Sequence, residues 1–162
     1  MGEKSRPKLS KRRVLGRKDA DRIREEAESF LETVDFKTMS RAELEDGTVV
    51  YLFDGSIRLA LKDGFLFPVL TNPGIVNLPS VVVDMGAIPY VCNGADVMAP
   101  GIEEIRGEFE EGDFVVIRDV SYGKALSVGS SLESSEEMRR MRKGKAVKNL
   151  HYVGDRLWKA LE

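Results

Sequence analysis

Apolar positions in the first third of the chain recur at intervals of three and four. Ala20, Ile23, Ala27, Phe30, Leu31 and Val34 fall on one side of a helical wheel, so a helix is predicted to begin near Asp19 and to pack one face inward. From about Lys37 the spacing contracts to two, and runs near 38–45, 48–53 and 56–62 read as short strands. Asp46-Gly47, Asp54-Gly55 and Asp63-Gly64 separate or end these runs. Asp-Gly between β-rich segments is a hairpin cue, because the glycine accepts positive φ readily. Phe65-Leu66-Phe67-Pro68-Val69-Leu70 supplies apolar bulk to close this unit, and Asn72-Pro73-Gly74 marks a turn before a boundary at 74–80.

Beyond the boundary, Val81-Val82-Val83-Asp84 predicts a buried strand from its unbroken β-branched run. A short helix follows from Met85 to Asn93, with Gly94 in the left-handed position that ends helices. Asp96–Met98, Phe114–Asp119, Ala125–Gly129 and Gly144–Lys148 predict further strands, with tight turns at Glu111-Gly112-Asp113 and Tyr122-Gly123-Lys124. Ser134 or Ser135 is placed to cap a helix running through Met138 and Met141, and Ser134 with Glu137 has the spacing of a capping box. A last helical segment surrounds Trp158. The fold class is α+β: an N-terminal helix with an antiparallel meander, then a small β-barrel with short helices. Three regions are predicted, a basic flexible arm at 1–13, an α+β unit at 14–78 and the barrel unit at 79–162.

Charge changes this picture. The formal net charge of −2 is unevenly spread. Residues 1–18 hold eight Lys/Arg against Glu3 alone, and residues 138–148 hold six with no acid, whereas 19–137 hold nine against 24 Asp/Glu. Two positive islands on an acidic body suit a polyanionic partner; a solubilising arm and a solvated helix face account for the same counts. No run of about 18 apolar residues is present, so a spanning helix is not expected. The basic start is not followed by an apolar stretch of the secretory kind. One cysteine, Cys92, and one histidine, His151, allow neither an internal disulfide nor a zinc site of the usual ligand set, and a cytoplasmic setting is the natural expectation.

Several ordered strings carry a family resemblance. Asp84-Met85-Gly86-Ala87-Ile88, then Asn93 through Ile102, then Ala125–Gly129, Lys143–Val147, His151-Tyr152, Gly154-Asp155 and Leu157-Trp158 together resemble the PUA domain. That domain is named for RNA pseudouridine synthases and archaeosine transglycosylases. Upstream, Asp54-Gly55, Ile57-Arg58 and Gly64 through Leu70 resemble the pre-PUA unit of the malignant T-cell-amplified family, whose relatives include ligatin and archaeal stand-alone PUA proteins. The resemblance implies RNA binding by the first helix, the glycine-containing strand after it and the late strand region. It also implies tRNA or ribosomal RNA as partner, with links to the small ribosomal subunit and to a translation-factor partner chain.

On these residues the expected contacts are Gly86, Ala87, Gly94, Ala95 and Pro100 around the groove, with Arg139, Arg140, Arg142, Lys143 and Lys145 as a cationic ridge. A helix starting at Gly86-Ala87 offers free backbone N–H groups to a phosphate, Gly94-Ala95 permits close approach, and Pro100-Gly101 fixes a turn at the border. The helix itself departs from the family pattern: Met85–Asn93 contains no Lys or Arg, and Pro89 stands where relatives often carry a polar or basic side chain. Tyr90, Tyr122 and Tyr152 are candidates for stacking on bases, although packing in the core or at its rim is the expectation for each. Cys92 is expected to fill core space and His151 to hold a structural hydrogen bond.

Catalytic patterns are missing from the sequence. There is no phosphate-binding loop, dinucleotide fingerprint, His-Glu-x-x-His or Cys-x-x-Cys. Ser127 through Ser131 offer hydroxyls, but a single histidine leaves little for a Ser/His/Asp arrangement, and Glu103-Glu104 and Glu108 through Glu111 read as solvated loops. A non-catalytic RNA-binding protein without a cofactor is predicted. The alternatives are a protein-interaction adaptor docking through the acidic meander, or an RNA-recognition subunit serving a separate modification or ribosome-assembly factor.

Overall fold

The computed structural model describes residues 6–31 and 35–161. Residues 1–5 of the predicted arm, Val34 of the predicted helix and Glu162 lie outside the described residues. The helix α1, Arg17–Glu28, buries Ala20, Ile23 and Ala27, as the spacing requires. It packs on a five-stranded antiparallel meander of β1 (Ser10–Val14), β2 (Met39–Glu43), β3 (Val49–Phe53), β4 (Ser56–Lys62) and β5 (Phe65–Pro68), arranged in sequence order. The two-residue loops Asp54-Gly55 and Asp63-Gly64 have positive φ at both positions (50° and 89°; 51° and 82°). This is the type I′ geometry whose twist matches paired strands. Strand β1 corrects the expectation of a flexible arm for residues 10–13. Ser10 pairs with Glu43 and Arg13 with Arg41, so these residues are an ordered sheet edge. All five side chains of β1 are exposed, which is why no hydrophobic period announces it.

The second sheet contains β6 (Ser80–Val83), β7 (Val97–Met98), β8 (Ile102–Arg106), β9 (Phe114–Asp119), β10 (Ala125–Ser131) and β11 (Lys145–Tyr152). Its order is β7-β11-β10-β9-β6-β8, with β6 parallel to β9 and every other pair antiparallel. The edge strands β7 and β8 are consecutive in the chain and are joined only by the 3₁₀ turn Ala99–Gly101. That turn therefore bridges the gap where the curled sheet would otherwise stay open. Strand β8 contains Glu103-Glu104, which the sequence presents as loop carboxylates. Its Ile102 and Ile105 are half-buried and three residues apart, because a bulge interrupts its pairing with β6 between Val82 and Val83. The predicted helix Met85–Asn93 is shorter than expected: a 3₁₀ turn at Met85–Ala87, then the single α-turn α2, Ile88–Val91, ahead of Gly94 at φ 94°. The helix α3, Ser135–Arg140, is capped by Ser134, whose hydroxyl accepts the Glu137 N–H at 3.2 Å. Helix α4, Arg156–Leu161, follows β11.

One apolar cluster joins both halves. Leu52, Ile57, Phe67 and Val69 of the meander unit pack with Val116, Val128, Leu150 and Leu157 of the barrel unit. Exposing the last four alone costs on the order of 6–12 kcal/mol at ~1.5–3 per side chain. That is comparable to the ~5–15 kcal/mol that stabilises a whole domain, so the halves are expected to unfold together. His151, with no solvent exposure, pins the joint. Its Nε2 accepts the Leu70 N–H at 3.2 Å, which places the ring proton on Nδ1, 2.9 Å from the Asp155 carboxylate. Burial alone would raise the Asp155 pKa. The hydrogen bond from His151, with those from the Trp158 and Tyr152 amides, outweighs burial and holds it below the ordinary carboxylate value.

Candidate nucleic-acid interface

An open groove lies on the seam of the barrel, beside the turn that links β7 to β8. Its cavity is about 370 Å³, walled by the Asp84–Val91 turns on one side and Ala95–Gly101 on the other. The walls are locked together by main chain: the Asp84 N–H donates to the Gly101 carbonyl at 3.0 Å. Of the residues singled out in the sequence, Gly86, Ala87, Ala95 and Pro100 line this groove. The lining is mostly apolar, and its rim carries Tyr90 and Met98, which are 70% and 47% exposed. Side chains of that kind stay uncovered at a cost in water, and a flat π-face beside a shallow apolar trough is suited to an unpaired base.

Electrostatics around the groove differ from expectation at its helical turn. The Ala87 N–H, expected to be free for a phosphate, donates to the Asp84 carboxylate at 2.9 Å. The Asp84 carboxylate thus caps the turn where a phosphate was expected. The second groove acid, Asp96, is also engaged. One oxygen accepts the Asn149 N–H at 2.9 Å and the other lies 3.4 Å from the Lys145 ammonium. Positive charge reaches the groove from the strand behind it. Lys145 is in register with Met98, and the Ala99 N–H donates to the Gly144 carbonyl at 2.8 Å. The 142–145 turn thus sits against the Met98-Ala99 wall. Arg142 and Lys143 are exposed there, and among the described residues neither has an ion-pair partner.

The ridge predicted from residue 139 onward divides at this turn. Arg139 binds Glu108 at 3.0 Å and the Gly107 carbonyl at 3.0 Å, which directs it to the end of β8. Arg140 is held by Glu136 at 2.9 Å and Glu137 at 3.2 Å on its own helix. Neither lines the groove. Glu137, spaced for a capping box, spends its side chain on Arg140. Gly94 does not line the groove either. A side chain there would meet the Tyr152 ring at 3.3 Å, so its bareness serves packing and its positive φ ends the turn. Tyr90 and Tyr122, expected to pack, are exposed at 70% and 84%, and Tyr152 is half-buried. Single-turn helices offer too little periodicity to reveal which way Tyr90 faces. Cys92 packs against the barrel core, where burial pushes its thiol up despite Lys124 nearby. Among the described residues no group of three or more His, Cys, Asp or Glu is placed to hold a metal, and no helix is long and apolar enough to cross a membrane.

Comparison with known proteins agrees with this architecture. The PUA domain family model matches residues 79–153. An uncharacterized protein of Methanocaldococcus jannaschii is 40% identical over 157 residues, covering 93% of this chain and 96% of its own. Translation machinery-associated protein 20 of Saccharomyces cerevisiae is 32% identical over 122 residues, covering 70% and 67%. Malignant T-cell-amplified sequence 1 of Rattus norvegicus is 34% identical over 84 residues, about half of each chain (50% and 46%). The crystal structure of a hypothetical protein from Pyrococcus horikoshii superposes with a TM-score of 0.77 at 28% identity, covering 93% of this chain and 99% of that one. Matched from end to end in archaea and across two thirds of the yeast protein, the chain belongs to the PUA-domain family, in the branch of translation machinery-associated protein 20 and the malignant T-cell-amplified sequences.

Proposed function

We propose that this protein binds RNA through the seam groove without catalysing a reaction, and that it serves translation by recognising tRNA or ribosomal RNA. The observation that carries the reading is the pairing of an apolar trough rimmed by exposed Tyr90 and Met98 with Arg142 and Lys143 on the adjoining turn, exposed and without an ion-pair partner among the described residues. An unpaired base enters the trough and stacks on Tyr90, while Arg142, Lys143 and Lys145 meet the phosphates that follow it. Gly86, Ala87, Ala95 and Pro100 keep the walls low enough for that entry. Translation enters through the relatives, one of which is named as associated with the translation machinery. The small ribosomal subunit and a translation-factor chain are the partners this reading favours.

The test is fluorescence anisotropy with a labelled single-stranded RNA across a salt series. Replacing Arg142 and Lys143 by Gln removes two phosphate contacts and should lower the log–log salt slope by about 1.4, at ~0.7 per phosphate for single strands. Tyr90→Ala should cost about 1–3 kcal/mol if one base stacks there. Arg140→Gln, whose charge is committed to Glu136 and Glu137, should change little. Equal losses from Arg140→Gln and from the Arg142/Lys143 pair would refute the assignment of the site. Absence of RNA binding at low salt would leave the protein-adaptor reading in its place.

A further inference from the structure

The molecule carries a second, larger cleft where the two ends of the described chain meet. Its cavity is about 760 Å³, and its lining includes Arg6, Lys8, Arg156 and Lys159. We infer that this cleft, continued by the exposed basic edge of β1, is a second RNA site that takes the sugar–phosphate backbone without reading bases. The inference rests on the groove reading only for the kind of partner.

Three observations support it. First, the cleft acids are already engaged. Glu45 pairs with Arg156 at 3.3 Å, and Asp155 accepts from His151 and two backbone amides. Arg6, Lys8 and Lys159 are exposed and, among the described residues, have no ion-pair partner. Second, β1 buries none of its five side chains, so packing does not explain its composition. It adds a sheet edge on which, among the described residues, Arg12 and Arg13 have no ion-pair partner and Lys11 is bound weakly to Glu43 at 3.5 Å. A row of like charges held in order is costly by self-repulsion and is relieved by a polyanion. Third, the cleft adjoins the groove. Tyr152 lines the cleft, and its ring packs 3.3 Å from where a side chain on Gly94 would stand, at the end of the turn that walls the groove. Tyr152 thus stands between the basic cleft and the turn that walls the groove. Among the described residues the aromatic that lines the cleft, Tyr152, is half-buried with its ring against Gly94, which makes backbone contact the fitting mode.

The experiment uses a blunt-ended RNA duplex, which offers backbone but no unpaired base, beside the single-stranded RNA probe. Each is titrated from ~50 to 200 mM salt against the full chain, the Lys8→Gln/Lys159→Gln variant and the Lys8→Arg/Lys159→Arg variant. Wild type is expected to bind the duplex. The Gln variant should show a salt slope smaller by about 1.8, at ~0.9 per phosphate, so that over this fourfold range it loses roughly tenfold less affinity than wild type. The Arg variant should restore the slope. No duplex binding by wild type, an unchanged slope in the Gln variant, or failure of the Arg variant to restore it would each overturn the inference. Polyglutamate competing as well as the duplex at equal charge would overturn it in favour of an acidic protein partner. Duplex binding with the expected slopes, together with single-strand binding that Tyr90→Ala and the Arg142/Lys143 pair leave unchanged, would uphold the cleft and sink the groove reading alone.

Discussion

Replacing His151 by Phe tests the claim that one ring ties the two halves of the molecule together. Phenylalanine keeps the volume of a fully buried ring beside Phe67, whose centroid lies 6.2 Å away, so no large cavity opens. Two hydrogen bonds are lost instead. The buried Leu70 N–H, now donating at 3.2 Å to Nε2, is left without a partner at a cost of about 1–3 kcal/mol. The bond from Nδ1 to the Asp155 carboxylate at 2.9 Å is to a charged acceptor and is worth ~1.5–3 kcal/mol. The combined loss of about 2.5–6 kcal/mol is a large fraction of a domain's stability. Urea unfolding followed by both the fluorescence of Trp158, the sole tryptophan, and by far-UV circular dichroism measures it. Because the halves share a core, the two probes should still report one transition, at lower urea. Asp155→Asn shares the same bond, so the double variant should lose less than the two single losses together, by ~0.5–3 kcal/mol. A His151→Phe loss under about 0.5 kcal/mol, or strict additivity with Asp155→Asn, would refute the reasoning.

Other outcomes follow from the same geometry. Gly129→Ala puts a Cβ into Val147 Cγ1 and 2.7 Å from the Lys148 carbonyl oxygen, at the bulge between β10 and β11; since backbone cannot yield as a side-chain tip can, thermal melts should show a loss of roughly 1–3 kcal/mol or more. Asp84→Ala removes the cap on Ala87 and should cost about 1 kcal/mol, while RNA affinity measured by anisotropy should hold or rise because an anion leaves the groove wall. Asp119, held low first by the Tyr122 amide and then by neighbouring amides of its turn, and Asp155 both have carboxyls below their ordinary value. The folded state therefore favours their ionised form, so urea midpoints should be level above the unfolded carboxylate pKa of ~3.9 and fall as pH drops below it through the folded values.

Much of the fold was legible because its elements obey local rules. The I′ loops at Asp54-Gly55 and Asp63-Gly64, the Ser134 cap and the strand Phe114–Asp119 each announce themselves within a few residues. Strands β1 and β8 were not legible, for opposite reasons. All of β1 faces solvent, and β8 loses its alternation to a bulge. The site was half legible. Glycines and a proline marked the groove walls, since low walls need small residues. Which cations of the predicted ridge are held in ion pairs depended on contacts between residues far apart, such as Arg139 with Glu108, and sequence spacing carries no record of those. Asp84 reads as the end of a strand, whereas its side chain accepts the Ala87 N–H and caps the turn.

Placing a groove on the seam of a barrel also separates recognition from stability. Along its walls, buried and exposed positions alternate residue by residue: Val91 is 2% exposed beside Tyr90 at 70%, and Val97 is 3% exposed beside Met98 at 47%. The valines fill the barrel core with Val81, Val83 and Ile117, and removing methyl groups there costs stability through lost packing. Tyr90 and Met98 contribute little to that core, so their replacement changes what the groove accepts while the barrel beneath stays intact. The walls meanwhile cannot drift, because Asp84 N–H to Gly101 O and Ala99 N–H to Gly144 O tie them to each other and to β11 through main chain. Rim substitutions at Tyr90 and Met98 should therefore shift RNA preference with melting temperatures unchanged, whereas conservative changes at Val91 or Val97 should lower the melting temperature and leave preference alone. A rim variant that melts early would show that the groove is part of the core after all.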